Sequence, residues 1–486
     1  MTTPSRALIW AIHRTSPFWT YVGKHLGYDE VTVLTDKRGD GDRWLTDDFY
    51  AAYRRFRASG ATASGLLTGA EVADVIARCR VLRWKPRAQA VAMALAMAEA
   101  TEKALVEVKP EVLIGFPIDS YVSDVLSRRA RAHGTPHFEM TASPLPGMTM
   151  LIHRGKLITR RTPPTREVVE AGVRDIADPS FTPAYVQGQK PFTRTRFLTT
   201  LGYFRLRALV FRLMGLLTRD PLNLHYLDAQ PDLGHKARWR DVRVTSMVQP
   251  DWESRLSAFP KERRVLFGLQ LFPEAAIDYW LDNRALLQHE DMLVEIARRF
   301  TAAGYQIVVK DHPLQFGFRQ TELLERLRMF PNVVVVPYDV SGNALLARCG
   351  ISVTATGTLG LQAGLLGNVS ITAEAYYASD EDFVVIREWD DLDRVVELVE
   401  ARAPFDLHDR QARIIETLHR GSFTADILSF RGFRADDPNP AAADLGRELG
   451  RHIATVGPRG EHWHREHLPG GEGHGPGSPL NQAPFA

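Results

Sequence analysis

Two polar segments in the second half of the chain combine residue types that suit phosphate binding. The first, residues 310–313, reads Lys-Asp-His-Pro. Because proline prevents a helix from running through this segment, we expect His312 in a loop, where its imidazole can donate to a phosphate or ribose oxygen. Lys310 and Pro313 flank the histidine. A plain turn explains a His-Pro pair equally well, so both interpretations stay open.

The second segment, residues 354–364, is rich in hydroxyl groups and glycine and contains Thr356, Gly357 and Thr358. A turn of this kind at the start of a helix offers backbone N–H groups and the positive end of the helix dipole, which suit a phosphate. The alternative is a threonine N-cap, with Gly360 and Gly364 allowing close helix packing. Finding both segments after neighbouring strands of one domain favours the phosphate interpretation.

Two carboxylates follow strand-like runs and are candidates for acid or base chemistry. Asp119 comes after the apolar run 111–116, and Glu274 follows Gln270 after the run 265–269. Asp119 is the leading candidate for a general acid, general base or nucleophile, although aspartate is also a preferred helix N-cap. Glu274 is a second catalytic candidate, and either a salt bridge or a sugar hydroxyl contact explains it.

A further polar segment follows the first strand-like run and contains His13, Arg14 and Ser16. These side chains are candidates for holding an anionic sugar or an acceptor. A capped helix start explains Ser16 equally well.

These segments must be positioned by the elements that precede them. Short apolar runs alternate with helical stretches twice along the chain, a pattern typical of doubly wound parallel sheets, in which ligands bind beyond the carboxyl ends of the strands. The predicted fold class is α/β, with two Rossmann-like domains facing a cleft. The predicted strands cover residues 7–12, 31–35, 111–116, 265–269, 305–309, 333–336, 351–354 and 369–372, and a long helix is predicted over residues 87–108.

The predicted organisation has four parts: an N-terminal domain over residues 1–160, a connector over 161–260, a second domain over 261–433 and a low-complexity tail over 434–486. Residues 185–244 contain eleven Lys or Arg against four Asp, interleaved with aromatic and leucine residues. Either the connector packs on a domain with its arginines solvated, or it presents a basic and apolar face to an anionic membrane. The tail is rich in Pro, Gly and His, and we expect it to be disordered.

Composition excludes several classes of protein. With Lys+Arg 60, Asp+Glu 58 and a net charge of +2, the 486-residue chain is not a dedicated nucleic-acid binder. The sequence has two cysteines, Cys79 and Cys349, which lie 270 positions apart and form no metal-ligand spacing, so we expect neither a disulfide scaffold nor a zinc finger. The chain carries neither a Gly-x-x-x-x-Gly-Lys phosphate loop nor a Gly-x-Ser-x-Gly elbow. We expect neither a metal nor a cofactor. The sequence shows no export signal and no apolar run long enough to suggest a transmembrane helix, so we expect a cytoplasmic location.

The order of these motifs resembles the capsule polysaccharide biosynthesis family, which includes bacterial Kdo transferases of the two-domain GT-B fold. The matching positions are Gln270-x-x-Pro273-Glu274, Lys310-x-His312-Pro313 and Thr356-Gly357-Thr358 with Gly360. The resemblance implies a nucleotide-sugar donor. Related GT-B sialyltransferases share His-Pro and Ser/Thr motifs that hold cytidine monophosphate, so a CMP-sugar is the implied donor class.

The function that the resemblance implies is a metal-independent glycosyltransferase, which transfers a Kdo-like sugar from a CMP donor to a glycan or glycolipid acceptor. The second domain would bind the donor, with His312, Thr356 and Thr358 around its phosphate, and the first domain would bind the acceptor. The other predicted donor-binding residues are Gln270, Lys310, Pro313 and Gly357. The basic connector would add peripheral contact with the inner face of the membrane. Two alternatives are a sugar-nucleotide epimerase of the same architecture and a non-catalytic partner in polysaccharide assembly.

Overall fold

The structure is a computed structural model that describes residues 4–160, 162–178, 180–181, 192–222, 237–271, 274–402 and 405–456. Its strands, numbered in chain order, are β1 (Arg6–Ala11), β2 (Glu30–Thr35), β3 (Arg43–Trp44), β4 (Val112–Gly115), β5 (His137–Ala142), β6 (Met148–His153), β7 (Lys156–Leu157), β8 (Arg264–Gly268), β9 (Gln306–Lys310), β10 (Val333–Val335), β11 (Ile351–Val353), β12 (Val369–Thr372), β13 (Val384–Val385) and β14 (Ser422–Thr424).

The α-helices are α1 (Ser16–Gly23), α2 (Thr46–Ser59), α3 (Gly69–Arg78), α4 (Arg87–Val108), α5 (Tyr121–Ala132), α6 (Arg166–Ile176), α7 (Arg194–Leu217), α8 (Val244–Met247), α9 (Trp252–Leu256), α10 (Ala275–Asp278), α11 (His289–Ala302), α12 (Glu322–Arg328), α13 (Gly342–Leu346), α14 (Thr358–Leu365), α15 (Val395–Glu400), α16 (Leu407–Arg420) and α17 (Pro440–Val456).

The second sheet is a parallel sheet of six strands in the order β10-β9-β8-β11-β12-β13. Its central strands are runs of Val, Ile, Leu and Phe that are buried on both faces, as crossover helices on both faces require. Counted from its first strand, this is the 3-2-1-4-5-6 order of a Rossmann fold, in which the strand order reverses between β8 and β11. The predicted doubly wound second domain is confirmed.

The first sheet has the order β14-β6-β5-β4-β1-β2-β3, with β7 paired to β6. Strands β1 to β5 are parallel, and the strand order reverses between β1 and β4. Strand β6 turns back antiparallel beside β5, and β14 pairs antiparallel with β6. This sheet and its helices form the first Rossmann-like domain, so the predicted α/β class with two such domains is confirmed.

The chain returns to the first domain after completing the second. Helix α16 packs against α6, β14 joins the first sheet, and α17 packs against α1. Gly446 and Gly450 make that helix contact possible, because a Cβ atom at either position would lie 2.5 Å or less from a carbonyl oxygen of Val22 or Leu26. The sequence predicts that residues 434–486 lack packed structure. Residues 440–456 differ from this prediction, because their small and apolar side chains form a buried helical stripe. Residues 457–486 lie outside the described residues.

The basic connector contributes helix α7, which packs one face on the second domain. Phe197 and Leu201 are buried in the core of that domain, and the Phe197 ring meets Phe316 edge to face at 5.6 Å. The packing interpretation therefore accounts for this face of the helix. No helix in the described part of the chain has both the length and the apolar character that crossing a membrane requires.

Candidate functional site

A cavity of about 610 Å³ lies between the two domains, beyond the strands at which each sheet reverses its order. We call its two sides the first wall and the second wall, after the domains that supply them. The first wall comprises Trp10, Ile12, Thr15, Phe116, Pro117, Asp119, Met140, Thr141, Ala142, Met150, Ile427, Leu428, Phe430 and Arg431. The second wall comprises Gln270, Glu274, Ala276, Trp280, Thr356, Gly357, Thr358 and Tyr376. In open α/β sheets, the point of reversal is where ligands bind.

Gln270 ties together the two loops at the reversal point of the second sheet. Its side-chain amide donates to the Thr356 hydroxyl at 3.0 Å, and its side-chain oxygen accepts from the Thr356 backbone N–H at 2.9 Å and from the Thr354 hydroxyl at 3.2 Å. Gln270 and Thr356 are both buried, so these bonds replace water and fix the loops relative to each other. The second wall is therefore held rigidly before any ligand arrives.

Helix α14 begins at the second wall without a side-chain cap. Its N-cap residue is Gly357, which has no side chain to satisfy the first backbone N–H groups, and the Thr356 hydroxyl bonds Gln270 instead. The threonine N-cap interpretation is therefore wrong. A Cβ atom at Gly357 would lie 2.7 Å from the Thr354 hydroxyl oxygen, so glycine is required for this turn to pack. A helix start of this kind favours an anion.

Glu274 lies in the second wall as the residue before α10, and its environment alters its acidity. Burial raises the pKa of the carboxyl to about 7, with a smaller raising contribution from the Asp278 carboxylate. Arg80 and a hydrogen bond from Gln270 oppose the increase. A carboxyl that titrates near neutral pH can both donate and accept a proton under physiological conditions.

Asp119 lies in the first wall, one residue before the N-cap of α5. The N-cap is Ser120, whose hydroxyl accepts from the Ser123 backbone N–H at 3.5 Å. The N-cap interpretation of Asp119 is therefore wrong. Its carboxylate accepts a hydrogen bond from the Ser123 hydroxyl at 3.5 Å, and its backbone carbonyl accepts from Arg80 at 3.0 Å. The two candidate carboxylates, Asp119 and Glu274, thus line the same cavity from opposite domains.

The Lys310 to Pro313 loop lies beside this site but not in the cavity lining. Burial lowers the pKa of Lys310 to about 8, and its ammonium donates to the backbone carbonyls of Asp311 and Tyr338 at 2.9 and 3.0 Å. Lys310 therefore stabilises the loop through buried hydrogen bonds to its backbone.

His312 in the same loop is partly buried, and burial lowers its pKa to about 4. Its Nδ1 accepts from the Leu314 backbone N–H at 3.2 Å, so the neutral ring carries its proton on Nε2. Arg319 connects the loop to the second wall by donating to the Asp311 carboxylate at 3.0 Å and to the Gln270 backbone carbonyl at 2.5 Å. The neutral His312 ring can therefore act as a hydrogen-bond donor through Nε2.

The residues predicted after β1 are not brought into the cavity together. Arg14 is exposed, and the side chain of His13 lies outside what the structure describes. Ser16 is buried, hydrogen-bonds Asp40, and lines a separate cavity of about 380 Å³.

Three arginines that the sequence analysis did not single out join the domains beside the cavity. Arg78 donates to the Asp278 backbone carbonyl at 3.1 Å, and Arg83 pairs with the buried Asp278 carboxylate at 3.0 Å. Arg80 reaches both domains, because its guanidinium bonds the Asp119 carbonyl and lies 4.0 Å from the Asp278 carboxylate. We call Arg78, Arg80 and Arg83 the arginine clamp. In the sequence, these arginines lie close together in an otherwise apolar segment at the end of α3, and this spacing could have identified them as candidates.

Comparisons with solved structures show distant likeness. A Thermosulfurimonas dismutans KpsC, beta Kdo 2,4 transferase, is 13% identical, with 72% of this chain and 88% of that chain covered and a TM-score of 0.33. A beta Kdo 2,7 transferase of KpsC from the same organism is 11% identical over 72% and 89% of the two chains, with a TM-score of 0.32. A Methanocaldococcus jannaschii UDP-GlcNAc 2-epimerase is 11% identical over 86% and 100%, with a TM-score of 0.26.

Among curated proteins, no sequence matches this chain. Residues 235–380 match the family model described as capsule polysaccharide biosynthesis protein. The matched range includes β8 to β12, the Lys310 to Pro313 loop and the second wall of the cavity. Over these residues the chain is similar to the capsule polysaccharide biosynthesis family, as the order of its motifs predicted.

Proposed function

We propose that the protein is a glycosyltransferase of capsular polysaccharide biosynthesis that transfers a sugar from a nucleotide donor across the cleft between its domains. The observation that carries this proposal is the interdomain cavity, which is lined by a carboxylate from each domain and by the uncapped start of α14. The family match over residues 235–380 supports a role in capsule polysaccharide biosynthesis. A Kdo-like sugar and a CMP donor are the substrate proposals that the motif resemblance implies.

The second wall suits the donor. The N-terminal turn of α14 would receive the donor phosphate at its backbone N–H groups, with the Thr358 hydroxyl beside them. His312 would donate from Nε2 to the nucleotide. Because Gln270 already fixes the loop that contains Thr356, little ordering would be needed on binding, which favours affinity.

The two carboxylates suit an acid and base pair. In glycosyl transfer a base removes the proton of the acceptor hydroxyl as its oxygen attacks the anomeric carbon, and the bond from that carbon to the donor phosphate oxygen breaks. Asp119, on the acceptor side, is proposed as the base. Glu274, with a pKa of about 7, would supply a proton or a hydrogen bond to the departing phosphate.

Nucleotide binding is the direct test of the donor site. Thermal shift and calorimetry of the full chain with CMP, CDP, UDP and GDP should give a rise in melting temperature with CMP or another single nucleotide, because ligands that bind only the native state stabilise it. Transfer from the matching sugar nucleotide should require a glycan acceptor. Conversion of the donor without any acceptor would instead indicate an epimerase, and no stabilisation by any nucleotide would indicate a non-catalytic partner.

Helix α7 supports a further proposal, that the enzyme rests on an anionic membrane surface at the cytoplasmic side. Nine of its large apolar side chains are exposed, namely Leu198, Tyr203, Leu206, Leu209, Val210, Leu213, Met214, Leu216 and Leu217. The helix contains no acidic residue and five arginines. At about 100° per residue, the exposed apolar side chains occupy an arc of roughly 160°, and the buried Phe197 and Leu201 lie outside it.

The arginines lie along the borders of this apolar arc. By the same helical geometry, Arg194, Arg205 and Arg212 fall along one border, and Arg196 and Arg207 fall along the other. An apolar stripe bordered on both sides by cations is typical of helices that lie in the plane of an anionic membrane interface.

Vesicle co-sedimentation tests the membrane proposal. Binding to phosphatidylglycerol vesicles should exceed binding to phosphatidylcholine vesicles and should fall with salt. Replacing Arg194, Arg205 and Arg212 with Gln should weaken binding about 100-fold, since each arginine near the surface contributes about 1 kcal/mol. The matched control replaces Arg166, Arg298 and Arg451, which are exposed elsewhere, and should bind as the native chain does. Equal binding by both triple variants would contradict the proposal.

A further inference from the structure

Three potential metal ligands meet in the core of the first domain, away from the described site. His137 and Glu139 point to the same face of β5, and His153 ends the neighbouring strand β6. All three are buried, and one ligand atom from each lies within 4.8 Å of the others. The cluster takes no part in the function proposed above.

The spacing within the cluster matches a metal site. The His153 Nδ1 lies 3.2 Å from a Glu139 carboxylate oxygen, close to the separation of about 3.3 Å between two ligands bound tetrahedrally to zinc at 2.0–2.1 Å. The rings of His137 and His153 lie 5.7 Å apart, edge to face. Two imidazoles and a carboxylate are a ligand set that suits zinc.

His137 provides the independent sign that a ligand is missing. Its side chain is 2% exposed, and neither ring nitrogen has a hydrogen-bond partner among the residues that the structure describes. A buried imidazole normally satisfies at least one nitrogen, because an unpaired polar group in the core costs free energy.

Glu139 has capacity left for a metal. One carboxylate oxygen accepts from the Arg154 backbone N–H at 2.7 Å and is the oxygen that lies 3.2 Å from the His153 Nδ1. The other accepts from the Ile118 backbone N–H at 2.9 Å and has a second lone pair that could bind a metal. The guanidinium of Arg154 is a positive charge near the cluster, but it contacts the buried Asp124 carboxylate, which balances that charge.

We propose that His137, Glu139 and His153 bind one Zn²⁺ or a similar transition-metal ion. This ion would be structural. By fixing the Glu139 carboxylate it would hold the backbone of Ile118, the residue before Asp119, and the Arg154 turn at the end of β6. The site thus stabilises the first wall of the cavity from behind, and it takes no part in the transfer chemistry.

The test uses the full chain stripped with a chelator and titrated with Zn²⁺ or Co²⁺ alone. We expect one tight equivalent, a rise in melting temperature on adding Zn²⁺, and visible d–d absorption of four- or five-coordinate Co²⁺. The histidines at positions 462, 464, 467 and 474 could also bind metal, so a variant with all four replaced by Ala is titrated in parallel and should keep the tight equivalent.

Substitutions then assign the ligands. His137→Asn and Glu139→Gln should each weaken Zn²⁺ binding on the order of 100-fold, because each removes one of three ligands. The matched control is His408→Asn, in the exposed cluster of Asp406, His408 and Asp409, and it should keep the native affinity.

Metal titration of the native chain tests the proposal even if a variant with a substitution in the core does not fold. Absence of a tight equivalent in the stripped full chain, or its loss in the variant lacking the four C-terminal histidines, would overturn the proposal. Retention of native affinity in a folded His137→Asn chain would do the same. None of these readouts depends on glycosyl transfer, so they are independent of the proposed function.

Discussion

The two walls of the cavity differ in how their polar groups are held. The second wall is built from buried loops that bond one another through the side chain of Gln270, at distances of 2.9 to 3.2 Å. The first wall is mostly aromatic and aliphatic, and its carboxylate, Asp119, accepts from the Ser123 hydroxyl at 3.5 Å. The difference indicates a division of labour. A fixed polar wall suits recognition of one constant group, such as the phosphate of the proposed donor, whereas the first wall, with Asp119 and Arg431 among apolar side chains, suits the proposed acceptor.

The largest effect should come from the first wall. Asp119→Asn should keep the melting temperature and donor binding but lose on the order of 100-fold or more in turnover, because the amide cannot accept the acceptor proton. Steady-state kinetics and a thermal melt measure the two outcomes. Ser120→Ala is the contrasting variant, since it removes the true N-cap of α5 and should cost about 1 kcal/mol of stability. Near-normal turnover in Asp119→Asn would move the base elsewhere.

The acidity of Glu274 gives the next effect. Because folding raises its pKa from 4.5 to about 7, the folded state disfavours the ionised carboxylate, and this residue's contribution to stability, fully present below pH 4.5, is lost as the pH rises through 7. Glu274→Gln should therefore be more stable than the native chain above pH 7 by up to about 3 kcal/mol, with no gain at pH 4.

Urea unfolding at pH 4 and pH 8 measures the Glu274 effect. Glu262→Gln, an exposed replacement of the same kind, serves as the control and should show no pH-dependent gain. If Glu274 acts as acid or base, the native profile of kcat against pH should also show an inflection near 7, and the Gln variant should lack it. A Gln variant that is less stable at pH 8 would contradict the assigned pKa.

Substitution of Gln270, which holds the second wall together, should lower both the stability of the protein and its affinity for nucleotide. Gln270→Leu leaves buried partners on Thr354 and Thr356 unsatisfied and should cost about 2 kcal/mol in the free energy of unfolding, together with most nucleotide affinity. Chemical unfolding and calorimetry measure both losses. Loss of affinity without loss of stability would show that Gln270 contacts the ligand more than it supports the loop.

The smallest effects concern single contacts to the donor. His312→Ala should weaken nucleotide binding about tenfold while leaving the fold intact, as expected for losing one hydrogen bond to a charged group. Thr356→Val should weaken binding to a similar extent but should also lower the free energy of unfolding, because it removes the hydroxyl to which the buried Gln270 amide donates. Thr424→Val and His408→Ala, at exposed positions outside the cavity lining, are the matched controls. Native affinity in both site variants would remove these residues from the donor site.

Much of the fold was predictable because its elements are locally regular. The helix over residues 87–108 was predicted with its observed bounds, and the predicted central strands differ from the observed ones by about one residue. Their continuous runs of apolar residues, which lie between turns, indicate strands that are buried on both faces of the sheet. The positions of Asp119, Gln270, Glu274 and Thr356 in the cavity lining were predictable for the same reason, since each follows a strand whose end is visible in the sequence.

The parts that were missed depend on contacts between distant residues. Strand β14 has three residues and exists only because β6 accepts it. The arginine clamp gains its role from Asp278, about 200 positions later. Helix α17 carries a local signal, because Ala442, Leu445, Gly446, Leu449 and Ile453 follow helical spacing, but the predicted low-complexity tail includes these residues.

The return of the chain to its starting domain has a consequence for synthesis on the ribosome. Strands β8 to β13 are contiguous, and the core of the second domain also includes Leu392, Val395 and Val399, so this domain can fold once residue 400 has emerged. The first sheet lacks its edge strand until residues 422–424 appear, and α1 lacks its covering helix until residues 440–456 do. The half of the protein that is made first is therefore completed last, and until then its open edge and the apolar face of α1 are surfaces that a chaperone would have to protect.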